Sequence, residues 1–232
     1  MVLQQKTEAA IWGFATPGAQ ISVTTSWDGK TYRAKADADG RWTAKVATPA
    51  ASYKPYTVTV KGDGSSLKIN DVLIGEVWFA SGQSNMEMPM RGFFNCPVEN
   101  AIEYISAPAA TEKIRMFTVP IKQSYEPLDD VEGEWKGAES STIPEMSATA
   151  FFFARKLNEV LDVPVGIVSC AYGGARVESW TPKEILETYP DENLDKAHIE
   201  SLTHYVRPYL AYNAMLNPVK GYTIKGFIWY QG

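Results

Sequence analysis

Ser84 lies in Gly82-Gln83-Ser84-Asn85-Met86, just past the apolar run Val72-Leu73-Ile74-Gly75-Glu76-Val77-Trp78-Phe79-Ala80. Bounded by Asn70-Asp71 and Ser81-Gly82, the run has the pattern of a buried parallel strand. In open α/β sheets reactive groups gather in the crevice at the carboxyl ends of such strands. A serine at that place can act as a nucleophile, provided that a base takes its proton. Gly, Ser and Asn are also what plain turns are built from, so the pentapeptide alone fits either reading.

Two later segments bear on the choice. Asp162-Val163-Pro164-Val165-Gly166-Ile167-Val168-Ser169 reads as a second buried strand, and it runs into Cys170-Ala171-Tyr172-Gly173-Gly174-Ala175-Arg176-Val177-Glu178-Ser179-Trp180. Paired glycines let backbone N–H groups approach a ligand closely, as an oxyanion hole requires. A third strand, Ile224 to Tyr230, ends in Gln231-Gly232. Three strands thus bring glycine-containing polar turns to one sheet edge.

These blocks, Gly82-Gln83-Ser84-Asn85-Met86, then Gly173-Gly174 with Glu178 and Trp180, then Trp229-Tyr230-Gln231-Gly232, resemble those of the sialate O-acetylesterase family, within the SGNH carbohydrate esterases. Met1-Val2-Leu3-Gln4, Ile11-Trp12-Gly13 and Pro17-Gly18 are similar to the opening of the small β-domain that many bacterial members carry. The resemblance implies that Ser84 attacks an acetyl carbonyl and that the N–H groups of Ser84 and Gly174 form an oxyanion hole. Gly173, Gln83, Asn85, Gln231, Arg176 and Glu178 are its neighbouring oxyanion and substrate candidates. Arg176 would meet a sialic-acid carboxylate or a sugar hydroxyl, or pair with Glu178; Glu178 would line the pocket, or only aid the helix start that follows.

The family places a Glu-x-Asn after Trp-Tyr-Gln-Gly, and an Asp-x-x-His supplying the base well downstream. The 232 residues end before either, so the sequence reads as C-terminally truncated. Asp195-Lys196-Ala197-His198 has the Asp-x-x-His spacing but precedes the third block. His198 therefore reads as a solvated helix residue, and His204, the other histidine, as a surface or groove residue.

The implied activity is removal of O-acetyl groups from sugars or glycans, such as sialic acid or a plant polysaccharide (acetyl xylan included), through an acetyl-enzyme. The alternative is a non-catalytic glycan-binding module or inactive fragment. The resemblance also implies a periplasmic or secreted protein, although the N-terminus lacks the pattern of a signal peptide.

Strands and helices that alternate after residue 70 predict an α/β fold, and the resemblance implies an SGNH-type, flavodoxin-like, three-layer parallel sheet with a small N-terminal β-sandwich. The boundary is set at residues 1–70 and 71–232. Up to about residue 70, short alternating runs (Gln20–Thr25, Thr31–Ala36, Arg41–Val46, Tyr56–Val60) are separated by Asp28-Gly29, Asp39-Gly40 and Gly62-Asp63-Gly64, which are hairpin signals. Trp12, Trp27 and Trp42 read as core there, with a sugar-stacking face as the other possibility.

Beyond residue 70, a helix is predicted from Pro144, with Met146, Ala150, Phe153, Leu157 and Val160 on one side. Another is predicted from about Asn193 to Asn213. Residues 87–112 read as a loop with a short helix, Pro97 to Ile105; its Arg91, Phe93, Phe94 and Asn95 would either shape a substrate groove or be peripheral.

At 45% hydrophobic and 12% aromatic, the chain can fill its cores, and a net charge of -5 argues against nucleic acid or an anionic membrane as partner. No apolar run nears the ~20 residues that span a bilayer. No His/Cys/Asp/Glu spacing suggests a metal, and no cofactor is expected. Cys96 and Cys170 could pair or stay free, and the oligomeric state is left open.

Overall fold

The computed structural model describes residues 1–107 and 113–232, so the end of the loop predicted over residues 87–112 lies outside the described residues. The N-terminal strands are β1 (Val2–Gln4), β2 (Glu8–Phe14), β3 (Gln20–Thr25), β4 (Thr31–Lys35), β5 (Arg41–Ala47) and β6 (Ser52–Gly62). β2 and β5 pair antiparallel, and they pack over a second layer in the order β4-β3-β6. In β5, Trp42, Ala44 and Val46 are buried and alternate with exposed residues, the period-two signature of a strand with one wet face. These side chains fill the sandwich with Ile11, Val23, Val58 and Ile74.

The sandwich is joined to the rest of the molecule by β7 (Ser65–Gly82), a strand of 18 residues that serves both halves. Its start pairs antiparallel with β6, and Leu73, Ile74 and Gly75 pair parallel with β1. Opposite β6 the register shifts: Val58 faces Ile69 but Tyr56 faces Val72. β7 therefore carries one extra residue at Asn70-Asp71, a bulge with Asp71 at φ 54°. Arg115 holds it, donating to Asp71 O at 2.5 Å and to its carboxylate at 2.8 Å. The boundary drawn at residue 70 falls on this bulge, within a strand.

Beyond the bulge come α1 (Ser84–Glu87), α2 (Ala101–Ser106), β8 (Ile114–Thr118), β9 (Trp135–Gly137), α3 (Ala148–Leu161), β10 (Val165–Ala171), α4 (Lys183–Leu186), α5 (Lys196–Ser201) and β11 (Gly226–Tyr230). β10 and β11 both pair parallel with the end of β7, and β8 pairs parallel with β10. The fold is α/β. Its sheet is not wholly parallel, because β9 pairs antiparallel with β8.

Side chains alternate across this sheet. Ala80, Val165 and Ile167 face a core under α3, whereas Phe79, Val168 and Cys170 face a core formed with Trp180, Ala211 and Met215. The second face is covered by short turns instead of the long helix predicted over 193–213. That stretch breaks into α5, a 3-10 turn at His204–Val206 and a π-helical turn at Tyr212–Leu216, since Pro208 interrupts it and Tyr209 sits at φ 49°. α3 follows the prediction in part, since Ala150 is buried and Phe153 and Leu157 pack against the core. Ser147 caps it, and Ala148, Ala150, Phe151 and Ala154 are its buried face, while Val160 is exposed.

Trp42 is core. Trp12 and Trp27 are half-buried, edge-on to Tyr222 and Tyr56. Cys96 and Cys170 are both free. Among the described residues, no helix is long and apolar enough to cross a membrane, and no group of three or more His, Cys, Asp or Glu could hold a metal.

Phe151, fully buried under the sheet, gives a test of this packing. Phe151→Ala is expected to cost about 3–5 kcal/mol by urea unfolding, the usual loss for emptying an aromatic core position. A loss under about 1 kcal/mol would contradict the buried placement.

Candidate active site

Register brings the three turns together. Gly82, the last residue of β7, is level with Ala171 of β10 and Tyr230 of β11. Gly82 adopts φ 135°, and a Cβ there would lie 2.0 Å from Tyr230 O, so only glycine lets β11 close against the turn. Gln83 N donates to Tyr230 O at 3.1 Å and Tyr172 N to Gly82 O at 3.2 Å.

Ser84 opens α1, and α1 is fastened to the start of α3. Met86 is buried; Ser147 Oγ donates to Met86 O at 2.6 Å and accepts from Ala150 N at 3.2 Å. Thr149 Oγ1 donates to Asn85 O at 2.8 Å. The hydroxyl-bearing residue is thus held at both ends, by the strand behind it and by α3 beside it.

Gly173 stands against Ser84: a Cβ built on it would be 3.7 Å from Ser84 Cβ. Gly173 N–H donates to the Glu87 carboxylate, one helical turn past Ser84. Gly174, at φ 77°, is covered by the ring of Tyr205, which a Cβ would meet at 2.7 Å. The N–H groups of Ser84 and Gly174 have no acceptor among the described residues, so one amide of the turn is occupied by Glu87 while two remain open. Open backbone donors beside a serine hydroxyl can bind the oxyanion of an acyl-transfer intermediate.

The other predicted residues separate. Gln231 Nε2 donates to Ala175 O at 2.9 Å, tying the end of β11 to the glycine turn. Gln83 Nε2 and Asn85 Nδ2 both donate to Gly232 O, at 2.6 and 3.4 Å. Arg176 and Glu178 have no ion pair among the described residues, with each other or elsewhere. Glu178 contributes its backbone, accepting from Thr181 N and Tyr209 N. His198 is exposed on α5, and neither histidine bonds to Ser84. His204 lies at the rim of the turn, its ring 6.0 Å from that of Tyr172 and 5.2 Å from that of Tyr205.

Glu87, Tyr172 and Tyr205 were not singled out in the sequence. A helix starting at Ser84 would have placed Glu87 on the same side three residues on, the one signal available. Burial pushes the Tyr172 phenol above its ordinary pKa, the charge of Glu87 adds to this, and Arg207 partly offsets it. Burial also pushes the Cys170 thiol up, so it is inert packing.

With this geometry in place, the relatives are informative. The sequence model of the family described as carbohydrate esterase, sialic acid-specific acetylesterase, matches residues 74–232, and the chain belongs to that family. It is 31% identical to the sialate O-acetylesterase of Mus musculus over 275 residues and to that of Homo sapiens over 249; each match takes in all of this chain and 50% or 46% of the relative. A solved carbohydrate acetylesterase from Xanthomonas citri superposes with a TM-score of 0.82 at 35% identity, covering all of this chain and 48% of that one. The chain spans about half the length of these relatives.

The Glu87 contact can be checked directly. Glu87→Ala is expected to speed amide hydrogen exchange at Gly173 by about tenfold or more, whereas Glu87→Gln, which keeps an acceptor, stays near the parent rate. Unchanged exchange in Glu87→Ala would remove the contact from the account.

Proposed function

We propose that this chain carries the nucleophile and oxyanion hole of a carbohydrate O-acetylesterase of SGNH type. Ser84 Oγ attacks the acetyl carbonyl, and the carbonyl oxygen becomes an oxyanion held by the N–H groups of Ser84 and Gly174. A base takes the Ser84 proton during attack and gives it to the leaving sugar oxygen as the intermediate collapses, and the acetyl-serine that remains is cleaved by water to acetate and free Ser84. The observation that carries the reading is the sorting of amides beside Ser84: Gly173 N–H is engaged by Glu87, and those of Ser84 and Gly174 have no acceptor among the described residues. The curated relatives are named for acetyl removal from sialate, which supports acetylated sugars or glycans as the substrate class, with sialic acid and plant polysaccharide both within it. A periplasmic or secreted setting, with no nucleic acid or membrane as partner, belongs to the same reading.

A second reading, a glycan-binding module without turnover, is favoured by one fact: neither histidine reaches Ser84. The two part on p-nitrophenyl acetate hydrolysis, in this chain and in a longer one with a downstream Asp-x-x-His. Turnover is expected to be weak here and full in the longer chain, with Ser84→Ala lowering kcat there by on the order of 10³-fold or more. Equal rates for Ser84→Ala and parent would overturn the nucleophile assignment.

A further inference from the structure

Two cavities lie along the carboxyl ends of the strands. One, of about 230 Å3, is bounded by Glu87 and Ala171 on the side of the glycine turn and by Arg91 and Phe93 of the loop after α1. The other, of about 470 Å3, runs out over β8 and β9 to Glu132, Glu134 and Lys136. Thr118, Pro120 and Glu145 line both, so the cavities join into a single trough. The trough begins at the carboxylate that accepts the Gly173 N–H and leads away from Ser84 towards the sheet edge.

Pockets for single drug-sized ligands run to about 300–1,000 Å3. The larger compartment alone is within that range and the smaller one extends it, so the trough has room beyond one acetylated monosaccharide, which is smaller than a drug-sized ligand. Its charge is one-sided. Arg91 is paired with Glu145 at 2.7 Å and Lys136 with Glu134 at 3.4 Å, while Glu87 and Glu132 add unbalanced negative charge. A sugar carboxylate there would meet repulsion with both wall cations already paired, whereas sugar hydroxyls would find carboxylates to donate to. Phe93 is 39% exposed on the wall, an apolar face for a pyranose ring.

We infer that the trough is an extended glycan subsite which takes several uncharged sugar residues flanking the acetylated one. This rests on the acetylesterase reading and narrows it to neutral O-acetylated oligosaccharides or polysaccharides, in preference to single acidic sugars. It gives the loop after α1 a role, since that loop supplies one wall. Arg176 lines neither compartment, so it could serve an acidic sugar only outside the trough.

The test is calorimetric titration of the chain with neutral β-1,4-linked hexasaccharides of xylose, glucose and mannose, their monosaccharides, and a sialylated trisaccharide. At least one hexasaccharide is expected to bind about tenfold tighter than its monosaccharide. The sialylated sugar should bind no better than a monosaccharide, and Phe93→Ala/Lys136→Ala should abolish the advantage of length. No advantage of length for any of the three backbones, a preference for the sialylated sugar, or an unchanged double variant would overturn the inference. Labelling of Ser84 with a fluorophosphonate is read in parallel, in the longer chain with a downstream Asp-x-x-His. Labelling without length-dependent binding removes the trough and leaves the esterase reading; length-dependent binding without labelling keeps the trough and removes the esterase.

Discussion

The long strand β7 is the constraint on which the rest of the structure depends. Its first residues complete the N-terminal sandwich, its middle pairs with β1, and its end is the central strand between β10 and β11. Ser84 follows directly, so the position of the hydroxyl is set by a strand anchored in two cores. The halves are joined elsewhere too: Arg41 makes two bonds to Asp129, at 2.5 and 2.6 Å, and Tyr222 donates to Val2 O at 2.6 Å. The Arg41 contact is exposed and adds little, whereas the shared strand is covalent and buried.

Around the serine, glycine and carboxylate divide the work. Glycines at 82, 173 and 174 admit close approach of backbone to Tyr230 O, to Glu87 and to the Tyr205 ring. Glu87 then fixes the turn by binding one N–H, which orients the peptide units on either side. For the proposed acyl transfer, a carboxylate so near the open donors would carry an electrostatic cost for an anionic intermediate, set against a turn whose donors are already held in place.

The three strand-to-turn blocks were legible because each pairs a buried apolar run with glycine, two local signals that agree. What escaped was non-local. β8 is only five residues long, and its Arg115 finds its purpose at a bulge 44 residues away. Glu87 is bound by an amide 86 residues on, which no window of sequence shows. In the segment 193–213 the apolar spacing was real, but Ile199 and Leu210 fill a separate small core with Leu186 and Tyr209 instead of lying along one helix. On α3 the predicted Ala150, Phe153 and Leu157 do pack on the core, but the small Ala148 and Ala154 beside Phe151 also lie inward, and Val160 in the last turn is exposed.

The bulge at Asp71 and the glycine at 82 also mark the ends of a stretch in which residue count is itself fixed. Between them side chains alternate, with Trp78 and Ala80 to the α3 side and Phe79 to the other. Adding or removing one residue there would exchange the two faces, burying each side chain in the wrong core and turning the serine away from the glycine pair. In lineages descended from such a chain, loops such as the one after α1 are free to lengthen and diversify, while this segment can change its letters but not its length.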